Sequence, residues 1–130
     1  MTSDDFNKVL QNRMNQTGNI LAMKAEEYAS GIDRLHSFKR AAAMQGITPE
    51  KALVGMFTKH MVSIMDMVDD LSYDRHSRIE TWSEKLGDAI NYLILLEGLI
   101  VERHNVEFDR NIQDEMHNEQ AIPVPECQEK

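Results

Sequence analysis

The chain is short of nearly everything that would make its chemistry easy to read. Cys127 is its only cysteine, which excludes an internal disulfide and any cysteine-based metal cluster. Three prolines and six glycines in 130 residues leave little turn chemistry, and no stretch reads as a β-hairpin. Aromatic residues make up 6% of the chain. The longest apolar run, "AINYLILLEGLIV" at 89–101, is too short and too interrupted to span a bilayer. Basic charge is in deficit: the net charge is −8, against the basic face that a nucleic-acid duplex demands. "MTSDDF" at the start is acidic and polar, unlike a secretory signal. A cytosolic protein with no membrane and no duplex as partner is the expectation.

What is present is helix. Ser3 reads as an N-cap with Asp4 and Asp5 in the first turn, and a first helix runs to about Ala29. "SGIDRLHS" (30–37) reads as a loop, followed by a short helix at 38–45 that stops at Gly46. Thr48 caps a third helix, 49 to about 71, with Pro49 at its first position. Ser77-Arg78-Ile79-Glu80 has the form of a capping box and opens a fourth helix, about 78 to 104, with Arg103 and His104 at its C-terminal end. The fold class is therefore all-α: three long helices and one short helix in residues 1–104, then an acidic, partly helical or disordered tail at 105–130. The fourth helix is apolar over most of its circumference between Ala89 and Val101, so it wants neighbours on several sides. That predicts a homodimer or higher homo-oligomer.

Polar residues interrupt the inward stripes. On the first helix Phe6, Val9, Leu10, Thr17, Ile20 and Leu21 share one face; Lys24 falls in its middle, with Glu27 and Tyr28 at its flanks. Such groups are costly to bury unless paired. On the fourth helix the main apolar arc is Ile79, Trp82, Leu86, Ala89, Ile90, Leu93 and Ile100. The opposite arc carries Glu84, Asp88 and Asn91 and then turns into Leu95 and Leu99. A solvent face should not become leucine, so Asp88 and Asn91 are expected to face an interior or a cleft. The plain alternative is an exposed first half of the helix and an oligomer contact in the second.

On the third helix Leu53, Phe57, Met61, Ile64 and Val68 form the inner arc, with His60 at its edge, where a histidine often merely satisfies a backbone carbonyl. Lys59, Ser63, Asp66 and Asp70 form a stripe opposite. Residues 31–63 hold five Lys/Arg (Arg34, Lys39, Arg40, Lys51, Lys59) against Asp33 and Glu50, a local +3, so the remainder is −11. A basic patch on an acidic protein suits a small anionic ligand, a nucleotide or other phosphorylated molecule. Phe38 amid Arg34, Lys39 and Arg40 is either a stacking platform or core. No P-loop, GxGxxG, HExxH or EF-hand loop occurs, and no nucleophile stands out, so catalytic residues are unassigned. Carboxylates on helices remain: Asp66 and Asp69 on the third, Glu84 and Asp88 on the fourth, a pattern able to hold Mg²⁺.

"KAEEYASGIDRLHSFKRAAAMQGITPEKALVGMFTKHMVSIMDM" and "WSEKLGDAINYLILLEGLI" together resemble a group of small phage and prophage proteins near a domain class associated with nucleotide modification. The likeness covers about residues 20–103. More distantly, the chain is similar to the all-α nucleoside triphosphate pyrophosphohydrolases of the MazG and dimeric dUTPase type. That resemblance implies a helical oligomer binding nucleotide and Mg²⁺ through E-E-x-x-E on one helix and E-x-x-D on the next. Asp88 matches the second motif's aspartate, but Lys85 stands where its glutamate belongs and Glu84 is one residue off. Asp66 and Asp69 are the nearest counterpart of the first motif, with Lys59 and His60 on the preceding turns. The implied ligand wall is Lys24, Glu27, Tyr28 and Asn91, with Arg34, Lys39 and Lys59 supplying positive charge. The implied metal residues are Asp66, Glu84 and Asp88. A Mg²⁺-dependent phosphohydrolase, a non-catalytic binder that captures nucleotides or nucleotide signals, and a purely structural helical oligomer are the three functions open to such a chain.

Overall fold

A computed structural model describes residues 1–28 and 33–119. The described residues form four α-helices: α1 (Ser3–Tyr28), α2 (His36–Gln45), α3 (Pro49–Leu71) and α4 (Ile79–Glu119). No strand occurs among them, as the all-α reading requires.

The helix ends follow local chemistry. The cap of α1 is Thr2, one residue before the expected Ser3. Its hydroxyl accepts from the Asp5 N–H at 3.1 Å and donates to the Asp5 carboxylate at 2.8 Å, a reciprocal box that Ser3 cannot make. α2 starts two residues earlier than predicted, and ends on Gly46 in the left-handed region at φ 66°, where only glycine is unstrained. Thr48 caps α3 by accepting from the Lys51 N–H at 3.3 Å, with Pro49 behind it. α4 does not stop at His104 but continues to Glu119. Residues 105–119 contain neither proline nor glycine, so nothing interrupts the hydrogen-bond ladder. The chain divides into two compact units, Met1–Leu99 and Ile100–Lys130.

Within the first unit the core is small. Phe38 of α2, Leu53 of α3 and Leu99 of α4 meet, with Leu35, Met56, Tyr92, Leu95 and Leu96 packed around them. Phe38 is therefore core, and the stacking-platform alternative for it falls away. Leu35 also lies 3.8 Å from where a Cβ on Gly98 would stand, so α4 accepts the start of α2 at a residue without a side chain. α1 attaches by polar contacts. Arg13 donates to the Ser83 carbonyl at 3.1 Å and to its hydroxyl at 3.2 Å, and that hydroxyl donates to Gln16 at 3.2 Å. Gly87 makes room for the guanidinium, since a Cβ there would lie 2.7 Å from Arg13 Nη1.

The faces of α3 and α4 differ in part from expectation. Of the α4 arc assigned to the core, Ile79, Leu86, Leu93 and Ile100 are exposed, Trp82 and Ile90 are half-buried, and Ala89 is buried. The opposite arc faces the interior beyond Asp88, as expected, with Asn91 and Leu99 buried, while Glu84 is exposed. The reason lies in the partners. Tyr92, Leu95, Leu96 and Leu99 are the residues that fit Phe38 and Leu53, and they drag Asp88 and Asn91 in with them. On α3, Leu53 and Met67 are buried while Met61 and Val68 of the expected inner arc are exposed. The α1 stripe is covered only around Thr17, Ile20 and Leu21; Phe6, Val9, Leu10 and Lys24 are exposed at its two ends.

Leu53 is 1% exposed and touches all parts of this core. Leu53→Ala is expected to lower the unfolding free energy in urea by about 2–4 kcal/mol, because the small core cannot collapse onto the cavity.

Candidate functional site

The inward polar arc of α4 meets α3 at one place. Asp88 and Tyr92 are one helical turn apart, so they project from the same face. His60 of α3 comes to both. Its Nδ1 lies 3.6 Å from an Asp88 carboxylate oxygen, and its ring centroid lies 4.9 Å from that of Tyr92. Phe57, one turn before His60, stacks on Tyr92 at 5.9 Å, and Phe38 meets the same ring edge-on at 6.3 Å. All three polar groups are partly buried. Burial, and then the negative charge of Asp88, push the Tyr92 phenol above its ordinary value, so it stays a neutral hydrogen-bond donor at physiological pH.

Next to Tyr92 on α4 stands Asn91, 2% exposed. Neither its side-chain oxygen nor its nitrogen has a hydrogen-bond partner among the described residues, and the same holds for the Thr17 hydroxyl of α1. Buried amides are normally paired on both ends, since an unpaired one costs about 1–3 kcal/mol. Among the described residues, Asn91 is thus a buried side-chain amide compensated at neither end.

Of the residues read from the sequence, the structure brings together His60 and Asp88, with Asn91 buried one turn along α4 from Asp88. It does not bring the others there. Arg34 donates to the Leu21 carbonyl of α1, and Lys39 pairs with Asp33 at 2.7 Å, so both cations tie the start of α2 to its surroundings. Lys59 and Lys24 are exposed. The side chains of Glu27 and Tyr28 lie outside the described residues. Asp66 and Glu84 are exposed, and among the described residues no three His, Cys, Asp or Glu side chains converge as metal ligands. The donor set actually assembled is one carboxylate and one imidazole. Mg²⁺ favours oxygen ligands in octahedral array, so this pair does not fit the expected Mg²⁺ site. Tyr92 and Phe57 were missing from the sequence-level site. Tyr92 could have been found there, because it sits four residues after Asp88 on the same face.

No protein-family model matches the chain, and neither a curated protein nor a solved structure is significantly similar to it. No helix among the described residues is long and apolar enough to cross a membrane.

Two measurements probe these groups. Asn91→Leu and Thr17→Val, which replace unpaired polar groups by apolar ones of similar size, are each expected to raise stability in urea by about 1 kcal/mol. The second concerns Asp33. Lys39 foremost, then the Leu35 N–H at 2.9 Å, hold its carboxyl below the ordinary 3.8. A depressed folded-state value means the interaction is intact above about pH 4 and lost as pH falls through that value. The Leu35 amide resonance should therefore titrate in acid in the native chain and stop doing so in Asp33→Asn.

Proposed function

We propose that this protein is a homo-oligomeric nucleotide-binding protein, and that the α3–α4 cluster of His60, Asp88, Asn91 and Tyr92 forms the ligand site. The observation that carries the reading is the Asn91 amide. It is buried, lacks partners among the described residues on both its donor and its acceptor, and lies one turn along α4 from Asp88. A nucleobase edge with a neighbouring N–H and C=O satisfies such an amide with two hydrogen bonds. Tyr92 and Phe57 offer ring faces to the base, Asp88 accepts from an amino or hydroxyl group, and exposed Lys59, one residue before His60, offers charge to phosphate. The partial resemblance of "EKLGD" to the aspartate motif of the all-α pyrophosphohydrolases, with Asp88 at the aspartate and Lys85 where the glutamate belongs, supports the same ligand class.

Non-catalytic capture is the form of this function that the donor set favours. Hydrolysis by the pyrophosphohydrolase route uses carboxylates that hold a metal-activated water. Here Glu84 and Asp66 stand exposed, and Asp88 is directed to His60.

The test is mass spectrometry on purified protein mixed near-stoichiometrically with pooled NTPs, dNTPs and cyclic dinucleotides, with and without Mg²⁺. An intact nucleotide released only on denaturation, in both arms, is the expected result. Asp88→Asn and Tyr92→Phe should each reduce retention about tenfold, or ~1.4 kcal/mol. Asn91→Leu should lose the ligand while gaining stability. A new product in the filtrate that depends on Mg²⁺ would replace capture by phosphohydrolysis. A filtrate and a denatured fraction that both lack any retained or altered nucleotide would end the nucleotide reading.

A further inference from the structure

We propose that Arg13, Thr17 and Asn91 form an oxyanion subsite between α1 and α4, and that it takes a phosphate group. The inference deepens the ligand site proposed above by giving it a second wall, and it rests on that reading only for the source of the phosphate.

Arg13 is a half-buried cation without an acid. The chain holds 22 Asp and Glu against 14 Lys and Arg. Yet among the described residues no carboxylate pairs with this guanidinium. Its Nη2 donates to the carbonyl and the hydroxyl of Ser83, both neutral. Its Nη1 and Nε have no hydrogen-bond partner among the described residues. Of the acids next to Ser83 and Gly87 in sequence, Asp88 lies 3.6 Å from His60 and Glu84 is exposed. A guanidinium presents its donors as a planar fork that matches two oxygens of a phosphate.

The buried polar atoms that lack partners lie one turn further on. Thr17 follows Arg13 by four residues on α1, and Asn91 follows Gly87 by four on α4. The two helices run parallel. Arg34 donates to the Leu21 carbonyl of α1, and its neighbour Leu35 packs beside Gly98 of α4. With Arg13 against Gly87, a parallel α1 carries Leu21 towards Gly98. An antiparallel α1 would leave Leu21 about 28 Å from Gly98 at 1.5 Å per residue, beyond the reach of Arg34. Parallel register sets Thr17 at the level of Asn91. Thr17 is 6% and Asn91 2% exposed, and the Thr17 hydroxyl and both ends of the Asn91 amide are unpartnered among the described residues. The Asn91 nitrogen carries two hydrogens. One serves the phosphate and leaves the other, with the carbonyl, for the edge of a base.

The test follows the Asn91 side-chain amide of the full chain by heteronuclear NMR during titration with sodium phosphate, against sodium chloride at matched ionic strength. A saturable shift with phosphate and none with chloride is expected. Gly87→Ala puts a Cβ 2.7 Å from Arg13 Nη1, so it keeps the charge and displaces the fork. Thr17→Val removes the hydroxyl from a chain expected to gain stability. Each should weaken the phosphate titration about tenfold. A variant that gains stability while losing phosphate cannot owe the loss to unfolding. A titration unchanged in both variants would overturn the subsite. Parallel titrations with pooled nucleoside monophosphates and with the matching nucleosides separate this inference from the nucleotide reading. Monophosphates that bind more tightly than nucleosides, with the difference lost in Gly87→Ala, support both. A response to phosphate that neither monophosphates nor nucleosides extend keeps the subsite, for free phosphate, and ends the nucleotide reading. Nucleosides that bind as tightly as monophosphates, with no response to phosphate, keep a base site and overturn the subsite. No response to any probe also overturns it and leaves the unpaired atoms to buried water.

Discussion

The ring of Tyr92 is where the two halves of this molecule's physics meet. On one side it packs into the cluster of Phe38, Leu53 and Leu99 that holds α2, α3 and α4 together. On the other it touches His60 and stands one turn from Asp88, the polar pair between α3 and α4. A core this small has few ways to orient α4, and the aromatic contacts with Phe38 and Phe57 choose one. Everything else on α4 follows from that rotation: which carboxylate enters the interior, which amide is left without partners, and which leucines remain in solvent.

The cost of that choice is visible in both directions. Turning Asn91 inward buries an amide whose hydrogen bonds no other described residue supplies. Turning Ile79, Leu86 and Leu93 outward leaves apolar surface in water at roughly 25 cal/mol per Å². Two such costs on opposite faces of one helix are hard to reconcile with a chain that acts alone. The first is the physical ground for the proposed ligand, and the second supports the reading of the chain as a homo-oligomer. Local order elsewhere is well provided for by the Thr2–Asp5 box, the Thr48 cap and the glycine stop at Gly46.

Helix content, the end of α2 and the start of α3 were legible from single residues. Thr48-Pro49 and Gly46 act through their own backbone geometry and need no knowledge of the rest of the chain. The wheel also showed that the Asp88–Asn91 arc ends in leucine, which is why that arc was expected to face an interior, and Asn91 is indeed buried. The choice of which α4 face packs against α2 and α3 was not legible, because both faces are apolar and periodicity cannot rank them. The roles of Arg34 and Lys39 were hidden for a related reason. A cation in a basic stretch looks free for phosphate until its own fold supplies a carbonyl or a carboxylate, as Leu21 and Asp33 do here.

The sequence by itself determined that this chain is helical, where α2 ends, where α3 begins and ends, and that α4 is apolar on more than one face. These are properties of propensity, capping and composition, set within a few residues of each position. Only the tertiary structure decided the rotation of α4, the meeting of His60 with Asp88 and Tyr92, the isolation of Asn91 and the exposure of Ile79, Leu86 and Leu93. Those depend on residues far apart in the chain fitting one small core, and side-chain shape across helices is not written in any local pattern.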